Sequence, residues 1–212
     1  MNEQSGQTNS EAIPGPGTVL AGKYEVMNVL GQGGMGVVLQ ARNKRTEQAV
    51  AIKLLLPEAR QMPDVVARFE REARAAARIQ GAHVVRVYDV DSLPDGSPMM
   101  VMELLQGQNL RMWLGQQSSR GVDCSFPAVT AIVLAILDGL DAAHAQNVVH
   151  RDLKPENVFL LSEPGNGAVK LKILDFGLAN ANGPHASQAS MMGTPIYMAP
   201  EQRTMPDSAR AS

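Results

Sequence analysis

The chain has a single cysteine, Cys124, among 212 residues. One thiol excludes an internal disulfide framework and fits a reducing compartment. Net charge is also scarce: 21 acidic side chains against 19 basic ones leave −2. No overall field therefore draws the chain to nucleic acid or to an anionic membrane. Long hydrophobic runs are missing. The longest, residues 131–137, stops at Asp138 and is far too short to cross a bilayer. Residues 1–16 carry neither a basic cluster nor an apolar stretch, which argues against a secretory signal. No internal repeat is visible. These absences predict a soluble, cytoplasmic chain, long enough for one large domain or two small lobes. They exclude classes of protein without naming a chemistry.

Residues 1–18 lack apolar periodicity and end in a Pro-Gly-Pro-Gly-Thr stretch, which reads as a flexible leader. From Tyr24 the pattern turns strand-like, with strands expected over 24–30, 37–41 and 49–55. Pro63 and Asp64 announce a helix running to about Ile79. Two further apolar runs, 87–91 and 99–105, flank the turn signal Leu93-Pro94-Asp95-Gly96-Ser97. A small antiparallel sheet carrying one helix is thus expected over 24–105. The remainder, 106–212, differs. Val129, Ile132, Val133, Ile136, Leu137 and Leu140 recur at helical spacing within 126–146, predicting a buried helix. Short strands follow at 158–161 and 171–174, either side of a Gly-rich loop. The long irregular stretch after Asp175 is the kind that is functional or disordered.

The motifs carry the chemistry. Gly31-Gln32-Gly33-Gly34-Met35-Gly36-Val37-Val38 fits G-x-G-x-x-G-x-V. Glycines let backbone amides approach phosphate oxygens, because no Cβ intervenes. A dinucleotide fold would need a helix opening at the last glycine, and the following Val-Val-Leu-Gln-Ala favours a strand. Lys53 ends the run Val50-Ala51-Ile52 on the third expected strand. On the following helix, Val65, Phe69, Glu72, Ala73, Ala76 and Ile79 fall on one stripe at 100° per residue. Glu72 would therefore point inward, where an unpaired carboxylate is costly, and Lys53 is its candidate partner. Glu70 lies on the edge of the stripe and is expected in solvent. His150-Arg151-Asp152-Leu153-Lys154-Pro155-Glu156-Asn157 follows the long helix, and Asp175-Phe176-Gly177 follows a short strand. Asp152, Asn157 and Asp175 offer hard oxygen donors of the kind magnesium prefers, and a possible base.

Taken together, and with Gly193-Thr194-Pro195-Ile196-Tyr197-Met198-Ala199-Pro200-Glu201 closing the long loop, this set resembles the protein kinases, from Tyr24 onward. The Gly-Gly-Met-Gly loop is similar to bacterial serine/threonine kinases of the eukaryotic-like type, and Asp-Leu-Lys-Pro-Glu-Asn resembles the serine/threonine signature. The resemblance implies an α+β, bilobal kinase fold: a complete N-lobe of antiparallel sheet plus one helix over 24–105, and a partial, mostly helical C-lobe over 106–212. It implies ATP and Mg²⁺ as cofactors and a protein serine or threonine hydroxyl as acceptor, the chain's own included. Gly31–Val38 would cover the phosphates, Lys53 held by Glu72 would grip them, and Asn157 and Asp175 would hold magnesium. Asp152 would take the hydroxyl proton, with Lys154 offsetting charge on the phosphoryl group. Adenine would lie between Leu30, Val38 and Ala51 on one side and Phe159 on the other. Met102 stands at the gatekeeper place, and Glu103 and Leu105 would offer hinge backbone groups. Arg151 before the base suggests control by loop phosphorylation, with Ser187 and Ser190 as candidates. Thr194 would sit near Asp152 and Lys154.

The family's large lobe continues well past the A-P-E motif, so Ser212 is expected to close a fragment rather than a whole kinase. Two functional readings follow. The chain is the N-terminal part of an ATP- and Mg²⁺-dependent protein serine/threonine kinase, or it is a non-catalytic ATP-binding remnant or scaffold. Retention of Lys53, Glu72, Asp152, Asn157 and Asp175 together favours the first.

Overall fold

A computed structural model describes residues 13–162, 170–176 and 195–197. The chain divides into two compact units, one from Met1–Ala77 with Arg86–Leu105, the other from Arg78–Val85 with Gln106–Ser212.

The first unit is a six-stranded antiparallel sheet: β1 (Val19–Leu20), β2 (Tyr24–Gly33), β3 (Gly36–Asn43), β4 (Ala49–Leu55), β5 (Val87–Ser92) and β6 (Pro98–Glu103), in spatial order β1-β2-β3-β4-β6-β5. Alternation along β3, β4 and β6 decides its two faces. Val37, Leu39 and Ala41 of β3, Val50, Ile52 and Leu54 of β4, and Met99 and Val101 of β6 build one core with Leu20, Tyr24 and Val26. Burying each large member contributes roughly 1.5–3 kcal/mol. The register pairs Val38 with Lys53 and Lys53 with Met100, then Gln40 with Ala51 and Ala51 with Met102, so these residues share the opposite face. Two helices follow β4: the single turn α1 (Pro57–Arg60) and the longer α2 (Pro63–Ala76), each with proline at its start, where no N–H is needed. Phe69, Ala73 and Ala76 form the buried face of α2.

Residues 13–18 are not a loose leader. Gly17 N–H donates to Val26 O at 2.8 Å, Val26 N–H donates to Thr18 O at 2.8 Å, and Ile13 packs against the core. The extended pairing, invisible to periodicity, ties the segment down; residues 1–12 lie outside the described residues.

The second unit holds β7 (Gly107–Asn109), α3 (Leu110–Ser119), α4 (Phe126–His144), a single turn at Pro155–Asn157, β8 (Val158–Leu161) and β9 (Leu171–Ile173), with the sheet ordered β7-β8-β9. Arg78–Val85, expected with the first half, belongs here. Val84 bridges Ile173 in parallel, Ile173 N–H donates to His83 O at 2.8 Å, and Val85 N–H donates to Ile173 O at 3.0 Å. Chain committed to that pairing cannot stay helical, which is why α2 stops at Ala76 instead of Ile79.

The long helix forms as expected, but its buried face is not the expected one. Ile132, Ala135, Gly139 and Ala143 are buried, while Val129, Val133 and Leu137 are 43–55% exposed and Leu134 61%. The small residues decide it. A Cβ on Gly139 would stand 2.8 Å from Ile173 Cδ1 and 2.9 Å from His83 O, so only glycine admits β9 and the 78–85 segment this close. By length and composition alone α4 could cross a membrane, a test that the core helix of a globular domain also passes. Its single interrupted run of apolar residues had suggested otherwise.

Candidate active site

Each unit carries part of the predicted site. In the first, the glycine motif is a hairpin. β2 and β3 pair as far as Gly33 opposite Gly36, and Gly34 turns the chain at φ +40°. Leu30, Gly31, Gln32, Gly33, Gly34 and Met35 are exposed, whereas Val37 is in the core and Val38 half-buried on the other face. Gly31, Gly33 and Gly34 have open space where a Cβ would be, whereas a Cβ on Gly36 would stand 3.0 Å from Leu54 O. The sheet thus gathers Val38, Ala51, Lys53 and Met102 on one face by register alone. Glu72 is half-buried on α2, beside the buried Phe69, Ala73 and Ala76, and Glu70 is not merely solvated: it accepts from Arg74 at 3.1 Å. Glu103 N–H donates to Arg86 O at 2.9 Å, and Arg86 N–H donates to the Glu103 carboxylate at 2.7 Å. The Glu103 N–H is thus engaged, and Leu105 is half-buried two residues on.

In the second unit the site is a hydrogen-bonded loop. Asp152 Oδ2 accepts from Lys154 Nζ at 2.6 Å and from Asn157 Nδ2 at 3.2 Å; Asn157 Nδ2 also donates to Asp152 O at 2.8 Å. Because the amide nitrogen of Asn157 faces Asp152, its oxygen is the end left to ligate a cation. Among the described residues, Asp152 Oδ1 has no partner either, so one carboxylate oxygen is held and the other can take a proton.

His150, buried and named in the sequence without a role, organises this loop. Its Nε2–H donates to Leu174 O at 2.8 Å, and its Nδ1 lies 3.3 Å from the Asp152 N–H, which donates to it and to His150 O at 2.8 Å. Both partners require the neutral ring. Burial, partly opposed by the bond to Leu174 and the Asp152 charge, pushes its pKa below 6.5. The ring also packs against Phe176, with centroids 4.8 Å apart. Leu174 N–H donates to Asn157 O at 2.8 Å, so Leu174 and Phe176 are pinned on either side of Asp175. Asp175 itself sits at φ +57°, and Arg151, exposed, at φ +63°. A non-glycine residue costs about 1–3 kcal/mol there and persists only where its surroundings over-determine it. Phe159, on β8, pairs with Lys172 of β9 and Asn109 of β7. Ser187, Ser190, Thr194 and Gly177 lie outside the described residues.

Asn157 and Asp175 suit magnesium by donor chemistry. No group of three or more His, Cys, Asp or Glu gathers as a metal site among the described residues. Magnesium does not need one, since it commonly takes one or two protein oxygens plus phosphate and water.

An antiparallel sheet with a glycine hairpin and a lysine on β4, together with a helical unit bearing a His-Arg-Asp loop and an Asp-Phe pair just after β9, defines an α+β fold of the kinase type. The protein kinase domain model matches residues 24–207, and the chain belongs to the protein kinase family. It is 40% identical over 187 residues to the serine/threonine-protein kinase Pkn1 of Myxococcus xanthus, covering 87% of this chain and 26% of that protein. It is 36% identical over 198 residues to PknD of Mycobacterium tuberculosis, covering 92% and 28%. The crystal structure of the Mycobacterium tuberculosis PknI kinase domain aligns with TM-score 0.66 and 30% identity, over 79% of this chain and 64% of that one. The chain spans about a quarter to a third of the curated relatives it matches. Members of the family use ATP with Mg²⁺ and act on proteins.

Proposed function

We propose that this chain is catalytic sequence of a protein serine/threonine kinase, moving the γ-phosphoryl group of ATP to a serine or threonine hydroxyl of a protein in the cytoplasm. The observation that carries the reading is the loop in which Lys154 and Asn157 hold one oxygen of Asp152 and leave the other without a partner among the described residues. In this reading the hydroxyl gives its proton to Asp152 Oδ1 as its oxygen bonds to the γ-phosphorus. The bond from that phosphorus to the bridging oxygen breaks, and ADP departs with the bonding pair. Lys154, already beside Asp152, offsets the charge on the transferred group. The amides of Gly31–Gly34 and Lys53, steadied by Glu72, bind the phosphates. Leu30, Val38, Ala51, Met102 and Phe159 supply apolar surface for adenine, and the Glu103 carbonyl and Leu105 N–H its polar edge. Magnesium, held by Asn157 and Asp175, would neutralise phosphate charge. Positioning and electrostatics supply most of the rate in such a site.

The test is transfer of labelled γ-phosphate from Mg-ATP to a Ser/Thr-rich acceptor polypeptide and to the chain itself, for wild type beside Asp152→Asn. Label on serine or threonine, reduced roughly 10²–10⁴-fold in the variant, is expected. ATP binding with no label in either protein would replace this reading with a non-catalytic binding role.

A further inference from the structure

Arg60, the last residue of α1, is a buried cation with no part in the site described so far. Its side chain is only 10% exposed. Nε donates to Leu55 O, at the end of β4, at 2.9 Å, and Nη1 donates to Asp95 Oδ2 at 3.4 Å. Asp95 belongs to the turn between β5 and β6, where its Oδ1 accepts from the Ser97 N–H at 2.9 Å. Burial alone would raise the Asp95 carboxyl, but hydrogen bonds from Ser97 and the Arg60 charge outweigh it and keep the group below its usual range. The third nitrogen, Nη2, is buried with no hydrogen-bond partner among the described residues. A buried guanidinium left partly unsatisfied is expensive and calls for an explanation.

Its location supplies one. Lys53 lies on β4 two residues before Leu55, and Glu72 lies on α2, the helix reached through α1. Between them the chain passes through one short helical turn, stiffened by Pro57 and Pro63, and α1 packs against α2. We propose that Arg60 is a positioning residue for the Lys53–Glu72 pair: by clamping the end of β4 to the β5–β6 turn, it fixes the connection from which α2 presents Glu72. This rests on the kinase reading, since it assigns Lys53 and Glu72 to phosphate binding. Arginine suits the place because its planar fork holds two separate donors, Nε to the carbonyl and Nη1 to the carboxylate, in fixed geometry, whereas the single ammonium of a lysine is not pre-organised to span both.

The test compares Arg60→Met, Arg60→Lys and Asp95→Asn with wild type in equilibrium binding of Mg-ATP to the 212-residue chain, and in amide hydrogen exchange. Lys53→Met is the benchmark. Expected are a threefold to tenfold loss of ATP affinity, on the order of a pair coupling, in Arg60→Met and Asp95→Asn. Arg60→Lys should fail to restore it, the Arg60→Met and Asp95→Asn losses should not add in the double variant, and exchange should quicken in residues 62–77 while β2 and β3 keep wild-type protection. Asp95→Asn keeps the turn's bond to Ser97 and guards against misreading a folding failure of Arg60→Met. Wild-type ATP affinity and wild-type exchange over 62–77 in Arg60→Met and Asp95→Asn, with binding lost in Lys53→Met, would overturn the inference and leave the kinase reading intact. A Lys53→Met variant that binds Mg-ATP like wild type would instead remove the reading on which the inference stands.

Discussion

The two units hold their functional residues by different physics. In the first, Val38, Ala51, Lys53 and Met102 owe their common face to strand register, and beneath them lies a core of alternate residues, several with no exposure at all. In the second, Asp152, Asn157 and Asp175 sit on loops and a single turn, with Arg151 and Asp175 itself at positive φ, and hydrogen bonds from side chains organise the loop. Register is a collective property, so losing one polar contact in the sheet should leave the face intact. A loop built from a few charge-assisted and buried bonds has no such reserve.

The sharpest way to break the contrast is in the sheet's core. Ile52→Ala should cost roughly 2–5 kcal/mol, read as a lower denaturant midpoint, with hydrogen exchange rising in the first unit's strands ahead of β8 and β9. If β8 and β9 loosen equally, the units share one cooperative core. Next is Asn157→Ala, which strips donors from both the carbonyl and carboxylate of Asp152 and should cost about 1–3 kcal/mol. It should also release Asp152 sufficiently that phosphate transfer falls much further than stability explains, a split that melts and assays on one preparation would show.

A third test uses acidity. His150 is held neutral in the folded chain, so the unfolded chain binds the extra proton first. The stability it contributes is complete above about pH 6.5 and is lost as pH falls below that value. Melting temperature should therefore drop between about pH 7 and pH 5 in wild type. His150→Phe keeps a ring against Phe176 but cannot titrate; it should start lower and vary less over the same range. The smallest effect belongs to Glu70→Gln. Its partner Arg74 is 72% exposed, and an i,i+4 pair of that kind is worth about 0.3–0.5 kcal/mol. A measured loss above 1 kcal/mol would mean that Glu70 does more than decorate the surface of α2.

Legibility in the sequence followed the same division. β4 and β8 were readable to the residue, because alternation or a short apolar run marks them. α3 was not: no residue of it is buried, so it has no periodicity, although Asn109 accepting from Met112 N–H at 2.8 Å is a cap that could have flagged it. β7 exists only by pairing with β8, where Gly107 admits the Leu160 carbonyl at a distance no Cβ would permit. The chemical residues were legible as types at fixed spacing. The work of His150 and the clamp at Arg60 were not, since each depends on partners 24 and 35 positions away.

By itself, then, the sequence determined which groups this protein has for handling phosphate, metal and a proton, and which strands carry them, because local periodicity and motif spacing are properties of neighbours along the chain. Only the tertiary structure decided that Arg78–Val85 leaves α2 to pair with β9, that α4 buries Ile132 with its small residues rather than most of its large ones, and that Lys154 and Asn157 both hold Oδ2 of Asp152. Those outcomes depend on what a residue meets across the fold, where the space beside Gly139 and the lone pairs of Leu174 outweigh any preference written locally.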